Sequence, residues 1–339
     1  MIPAELYEER SAAWLTTPFY FGRRELLADT GDYFVLPWHP GVAVVLSESG
    51  PKAFANVCRH RQAIILSGRG NVSQIRCSMH GWSWDMDGKS SACPGFDQGA
   101  DLLTFDLAES KGWMYAPGST LANATENNPH MGLDGYELLE INAYEYDCSW
   151  IDYMNTTIDL NHIPFIHPGL RAWTDCSKPE IIHGEGWMTQ SAPFRDGGNA
   201  KGLTKIWWDT LADRVPDATT KNVRWTQIYP NIMIEDYGGI FISVAVAQPT
   251  EGGCVGHETV WLRGDLAGDA ELGKAFSEMF EELEDEDQKF LMAQHKGRKA
   301  LMSMRLRDTG PYQDPIELGI AHFHQWLLDR VAEPSHSVR

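Results

Sequence analysis

The chain of 339 residues has no apolar run approaching the roughly 18–20 residues that cross a bilayer. Its longest such stretch, residues 239–247, has the length of a strand. Positive charge is also scarce: 28 Lys and Arg stand against 47 Asp and Glu, a formal charge of −19. A chain this acidic repels phosphates, so neither nucleic acid nor an anionic membrane is expected as a partner. Cysteine is sparse. Of the six, Cys93, Cys148, Cys176 and Cys254 are widely scattered, which fits free thiols better than a disulfide framework. The first ten residues are acidic and carry no signal-peptide core, so a cytoplasmic location is expected. Internal repeats and low-complexity tracts are missing. What is plentiful is core material: 43% hydrophobic residues and 13 Trp, in a length that suits two domains.

The most informative stretch reads C-x-H-x16-C-x2-H, from Cys58 and His60 to Cys77 and His80. Two thiolates and two imidazoles arrive on two short fingers. In a Rieske centre two Cys hold one iron of a [2Fe–2S] cluster and two His hold the other, which raises the potential. Zinc is the competing occupant, because Cys2His2 sets also close tetrahedral sites. Zinc fingers usually pair like with like, whereas each finger here carries one Cys and one His.

Around this motif the pattern is one of short strands. Residues 33–36, 42–46 and 53–57 are apolar runs separated by turns rich in Gly, Ser and Pro, the mark of a compact all-β unit. That unit is expected over 17–117. Residues 118–130 are polar and turn-rich, a candidate linker. A second domain follows over 131–339, with residues 1–16 expected to pack on it. There, 136–146 alternates as a strand, 148–160 reads as a helix, and strands dominate from 181 to 263. Residues 271–304, rich in Glu, Leu, Met, Ala and Lys, predict one long helix or two. Residues 317–331 predict a last amphipathic helix with Phe323, Trp326, Leu327 and Val331 on or near one face. Strands in the middle with helices around them predict an α+β domain.

A second metal motif is His162 and His167, five residues apart. On a straight helix they would point about 140° apart. Pro164 between them is expected to end or bend the helix, so that both rings converge. Two His and one carboxylate are the usual ligands of Fe(II) in an oxygenase.

Cys58-Arg59-His60-Arg61, Cys77-Ser78-Met79-His80-Gly81-Trp82 and the context Asn155-x3-Asp159-x2-His162-x4-His167 resemble the ring-hydroxylating (Rieske non-haem iron) oxygenases. The resemblance runs from about Thr16 to Leu328 and implies several things. The fold would be an all-β Rieske [2Fe–2S] domain followed by a helix-grip catalytic domain. Cys93-Pro94-Gly95 would close a third loop over the cluster. The stretch from Glu286 to Gln294 resembles the late helix of the family. That register makes Asp287 the carboxylate ligand, with Asp285 as runner-up; Met292 stands where the family usually has Glu. The other acids of that helix, Glu281, Glu282 and Glu284, would form a solvated face. Asp159, sharing a helical face with His162, would bridge His162 to His80 of an adjacent subunit. Asn155 would sit one turn back and look towards the iron. The remaining His, including His183, His257, His295, His322 and His324, would be structural.

The implied activity is that of a terminal oxygenase. Electrons from an NAD(P)H-dependent reductase and/or ferredoxin would reach the cluster and cross to the mononuclear Fe(II), with O2 as co-substrate. The length resembles stand-alone homotrimeric members, many of them monooxygenases, so hydroxylation or demethylation is favoured over cis-dihydroxylation. Trp207, Trp208, Trp225, Tyr229, Ile232, Tyr237 and Phe241 are pocket candidates, which would suit an apolar, aromatic or amine-bearing substrate. Two other classes compete: a Rieske electron carrier, which has no need of His162, His167 and Asp287, and a zinc-stabilised binding protein.

Overall fold

The computed structural model describes residues 19–195, 201–202, 205, 208–209, 212–213, 222–306, 311–314 and 316–332. The expectation for residues 1–16 lies outside them. The described residues divide into two units, one ending at Gly135 and the other beginning at Tyr136.

The first unit is built from short antiparallel strands. A five-stranded sheet has the order β5-β2-β3-β4-β9, from Asp32–Val35 (β2), Val42–Ser47 (β3), Gly50–Ala55 (β4), Arg69–Asn71 (β5) and Thr104–Phe105 (β9). Strand β3, Val-Ala-Val-Val-Leu-Ser, is buried along its whole length, as a β-branched run in the middle of a sheet should be. Ile75–Arg76 (β6), Ser83–Trp84 (β7) and Ser90–Ala92 (β8) form a small second sheet. Tyr20–Arg23 (β1), Ala108–Ser110 (β10) and Trp113–Tyr115 (β11) form a third. Val45, Phe54, Trp84 and Leu102 make a core that also contains Cys58 and Cys77. The cluster motif is therefore rooted in the hydrophobic interior.

Residues 118–130, expected to be a linker, contain a helix, Thr120–Asn127 (α1), and belong to this first unit, which runs to Gly135. The turn-like composition misleads because Ser119 is a cap. Its hydroxyl accepts from the amide of Ala122 at 3.2 Å. Leu121 and Ala124 then bury one face completely.

The second unit is a seven-stranded antiparallel sheet in the order β12-β18-β17-β16-β15-β14-β13. Its strands are Tyr136–Tyr146 (β12), Glu180–Gly184 (β13), Trp187–Pro193 (β14), Asn222–Ile228 (β15), Ile232–Tyr237 (β16), Phe241–Pro249 (β17) and Cys254–Arg263 (β18). Helices are Trp150–Ile158 (α2), Ile163–Ile166 (α3), Pro168–Trp173 (α4), Ala270–Ser303 (α5) and Leu318–Ala332 (α6). Asp269 caps α5 by accepting from the Leu272 amide at 3.0 Å. Leu272, Phe276, Met279, Phe280 and Leu283 recur at helical spacing and pack on Tyr237, Phe241, Val260 and Leu262 of the sheet. The opposite end of α5 meets α2 and α6 through Leu291, Met154, Ile158, Phe323 and Leu327. Two buried polar ties fix α2. Asp152 pairs with His295 at 3.0 Å and with Arg298. Asn155 bonds His324 at 2.9 Å. His295 and His324 are structural, as the sequence suggests.

Candidate metal centres

Two loops of the first unit have the same backbone design. In each, the Cys amide donates to the carbonyl five residues on (Cys58 to Ala63, Cys77 to Trp82, both 2.8 Å). The amide four residues on donates back to the Cys carbonyl (Gln62 at 3.0 Å, Gly81 at 3.1 Å). Both loops need a left-handed residue at that fourth position: Gln62 has φ 59° and Gly81 has φ 75°. The Cys side chains are thus brought together in the core while the His side chains project beside them. The rings of His60 and His80 lie 4.8 Å apart. His60 stacks on Trp82 at 5.2 Å, and Phe96 packs on both. Phe96 comes from the turn opened by Cys93, so the third loop reaches the motif through an aromatic ring; Cys93 itself bonds Ser90.

The donor set suits an iron–sulfur cluster. Burial pushes the Cys58 thiol up, and the neighbouring Cys77 adds to this. A thiol raised by burial gives up its proton readily when a cationic metal centre takes its place. Nδ1 of His60 is buried and has no hydrogen-bond partner, an orphan that a metal bond would satisfy.

In the second unit, α2 ends at Ile158 and Asp159 is its C-cap. Asp159 and His162 therefore do not share a helical face, contrary to the sequence expectation. Pro164 also acts differently. It sits in the first turn of α3, where its missing N–H costs nothing, and starts that helix rather than ending one. His162 and His167 flank α3, and His167, with φ −111° and ψ 79°, has left helical geometry. That break cancels the 140° divergence. Nε2 of His162 and Nε2 of His167 are 3.1 Å apart. Asp287, on α5, puts Oδ1 at 3.0 Å from His167 Nε2 and 3.4 Å from His162 Nε2. These three residues form a group able to hold a metal ion, and Asp285 is not part of it. Burial pushes the Asp287 carboxyl up, but the two imidazoles outweigh it and hold it at about 2. Three convergent donors with no protein side chain in a fourth place match the facial set that binds Fe(II).

Around the triad, Glu286 Oε2 takes the other nitrogen of His167, Nδ1, at 2.8 Å. Phe290 stacks on His162 at 5.7 Å. Nδ1 of His162 is buried without a partner. The Asp159 carboxylate accepts from the Asn161 amide at 2.7 Å. Asn155, expected to look towards the iron, instead points its amide oxygen at His324.

The triad lines a cavity between α2, α3, α5 and the sheet. Of the aromatic pocket candidates, Trp225 and Tyr237 line it. Tyr229 packs on Phe323 and Trp326, Phe241 on Phe276 and Phe280, and Trp208 on Phe194. Ile232 is buried elsewhere in the sheet, and Trp207 lies outside the described residues. The sequence reading missed Glu235 and Glu258, which line the same cavity. It also assigned Glu284 to a solvated face. Glu284 lines the cavity too, hydrogen-bonded by Tyr146. The signal for Glu235 was present: Met233, Glu235 and Tyr237 alternate along β16 on one face.

A family model for the ring hydroxylating alpha subunit (catalytic domain) matches residues 133–333, and one for the Rieske [2Fe-2S] domain matches residues 28–107. The chain belongs to the ring-hydroxylating oxygenase alpha-subunit family. It is an oxidoreductase of the Rieske type, in a family that binds a [2Fe–2S] cluster and mononuclear iron and uses O2. Family membership also implies an electron-transfer partner and a small-molecule substrate. Putrescine 2-hydroxylase of Ralstonia nicotianae is 27% identical, with 91% of this chain and 87% of that protein covered. Choline monooxygenase of Beta vulgaris is 23% identical over 81% of this chain and 62% of that protein. The solved structure of a quaternary ammonium Rieske monooxygenase matches with a TM-score of 0.77 at 18% identity, covering 98% of this chain and 93% of that one. Naphthalene 1,2-dioxygenase matches with a TM-score of 0.68 at 16% identity, covering 99% and 91%. Among the described residues, no helix is long and apolar enough to cross a membrane.

Proposed function

We propose that this chain is the terminal monooxygenase of a multicomponent system, acting on a small organic substrate that enters the cavity beside His162, His167 and Asp287. The observation that carries the reading is the convergence of those three donors at the wall of one cavity. Cys58, His60, Cys77 and His80 hold the [2Fe–2S] cluster; His162, His167 and Asp287 hold Fe(II). When bound, the two groups supply one-electron transfer and activation of O2.

The chain's own residues do the rest. Glu286 fixes the tautomer and orientation of His167 by accepting from Nδ1. Phe290 covers the face of His162. Leu160, Trp225, Met233, Phe280, Leu283 and Leu291 supply apolar cavity wall, which limits water near the reacting carbon. Asp159 links subunits in a homotrimer, reaching from His162 towards His80 of a neighbour. Three features support that role: His80 is exposed, and among the described residues the Asp159 side chain is bonded only to nearby backbone and His162 Nδ1 has no partner. An NAD(P)H-dependent reductase, alone or with a ferredoxin, would deliver the electrons in the cytoplasm.

Monooxygenation is preferred because the relatives that match over most of the chain are named as a hydroxylase and monooxygenases. The test is turnover under 18O2 with a surrogate reductase and candidate substrates. One labelled oxygen atom is expected, in an alcohol product or in the formaldehyde released by demethylation. A cis-diol carrying two labelled atoms would move the chain to the dihydroxylating group.

A further inference from the structure

Three glutamates stand on the cavity wall away from any lysine or arginine. Trp225, Glu235 and Ser243 lie side by side across β15, β16 and β17; Met233, Ala245 and Glu258 form the next row across β16, β17 and β18. Glu284 faces them from α5. Each glutamate is held by a hydroxyl: Tyr237 donates to Glu235 at 2.7 Å, Ser243 to Glu258, and Tyr146 to Glu284. These donors use one oxygen of Glu235 and one of Glu284 and leave the other free. Among the described residues no lysine or arginine lines the cavity, and its two imidazoles, His162 and His167, are taken up by Asp287 at the triad, so no permanent cation stands beside the three acids. A second, independent feature lies among them. Tyr153, on α2, is only 4% exposed and lines the cavity, yet its hydroxyl makes no hydrogen bond among the described residues. Its ring sits 5.1 Å from that of Tyr146. The unused Tyr153 hydroxyl and the unused carboxylate oxygens of Glu235 and Glu284 together leave acceptor sites that no Lys or Arg fills.

We propose that Glu235, Glu258 and Glu284, with the Tyr153 hydroxyl, bind the protonated primary amino group of an aliphatic amine and set the substrate class of this oxygenase.

This rests on the oxygenase reading and adds the substrate to it. An –NH3+ group offers three N–H donors on one compact charge, and the cavity offers three carboxylates. A quaternary ammonium offers charge without donors, so it would leave every acceptor unsatisfied and favours aromatic faces instead. A neutral alcohol brings one donor and no charge. The triad lines the same cavity, so a short alkyl chain held by its ammonium at the glutamates presents a carbon farther along to the metal. Burial pushes Glu235 and Glu258 up to about 7, so a cation placed beside them would favour their charged form.

The experiment is isothermal calorimetry on the metal-loaded protein, without reductase, using 1,4-diaminobutane, butylamine, choline and 1-butanol as probes. Both primary amines should bind, with choline and butanol at least tenfold weaker. Glu235→Gln and Glu258→Gln, each made separately, should weaken both amines at least tenfold. Circular dichroism and the cluster absorbance of each variant, unchanged, would confirm the fold. Choline or butanol binding as tightly as the amines would overturn the proposal. So would no binding of either amine, or glutamine variants with undiminished affinity. Amine binding as expected, with no hydroxylated product under turnover, would leave this inference standing and remove the monooxygenase reading.

Discussion

The two metal sites are built by opposite means. The cluster donors fall within one short stretch, from Cys58 to His80, and two backbone loops of the same design position them. The triad draws on residues from 162 to 287, and side chains position it: a turn of helix, a long helix and an acid behind one imidazole. A site made by local backbone is rigid as soon as its loop closes. A site made by distant elements depends on the whole domain being packed. The largest expected effect separates the two. Asp287→Ala should remove the mononuclear iron and abolish product formation, while the reduced cluster keeps its EPR signal. Metal analysis should fall from about three irons per two sulfides to about two. Cys77→Ser should do the reverse, losing sulfide and visible absorbance. An Asp287 variant that still turns over would give the ligand role to another carboxylate.

The same contrast explains what could be read from the sequence. The cluster motif was legible because its four donors and the turn at Gly81 are neighbours in the chain. The strands and helices of the second unit were legible because their apolar periods are regular; Tyr136–Tyr146 and Ala270–Ser303 lie close to where the pattern put them. The convergence of His162 and His167 was anticipated, but Pro164 was given the wrong part, since spacing does not say on which side of a proline a helix lies. Helix α1 was hidden by a turn-like composition that a single serine cap overrides. Glu284 was assigned to solvent along with its acidic neighbours. Only the three-dimensional placement of α5 over the sheet shows that it turns inward. Glu235 and Glu258 were passed over for a related reason, although alternation put Glu235 on one face with Met233 and Tyr237: a buried acid breaks the usual rule for strands, and such breaks mark function.

That exception has a cost in stability that depends on pH. Burial raises the Glu258 carboxyl from its ordinary 4.5 to about 7, against the donors Ser243 and Asn142 that lower it. The folded protein then holds this proton more tightly than the unfolded chain does. Stability from this group is greatest below pH 4.5, falls as pH rises from there to about 7, and is flat above. The gap corresponds to roughly 3 kcal/mol at pH 8. Glu258→Gln keeps the shape and an acceptor for Ser243 but carries no charge. In urea denaturation without ligand at pH 8 it should be more stable than the natural protein, by up to roughly 3 kcal/mol, with the advantage shrinking as the pH is lowered. Equal stability at pH 8 would mean that the empty cavity already neutralises the acid.

A smaller effect tests whether side chains do hold the triad. His167 is gripped at both nitrogens, by Asp287 through Nε2 and by Glu286 through Nδ1 at 2.8 Å. Among the described residues His162 has no such support, its Nδ1 being unpartnered. If orientation comes from the acid behind the ring, Glu286→Gln should weaken Fe(II) retention about 10- to 100-fold, read by competition with a chelator. Glutamine can still accept from Nδ1 but no longer favours the ring electrostatically, so a partial loss is expected rather than a complete one. The cluster spectrum should not change, because backbone loops, not acids, hold its ligands. An unchanged iron affinity would show that helix α3 alone orients His167. The triad would then resemble the cluster after all, with its ligands set by local backbone and Glu286 left as a charge at the edge of the site.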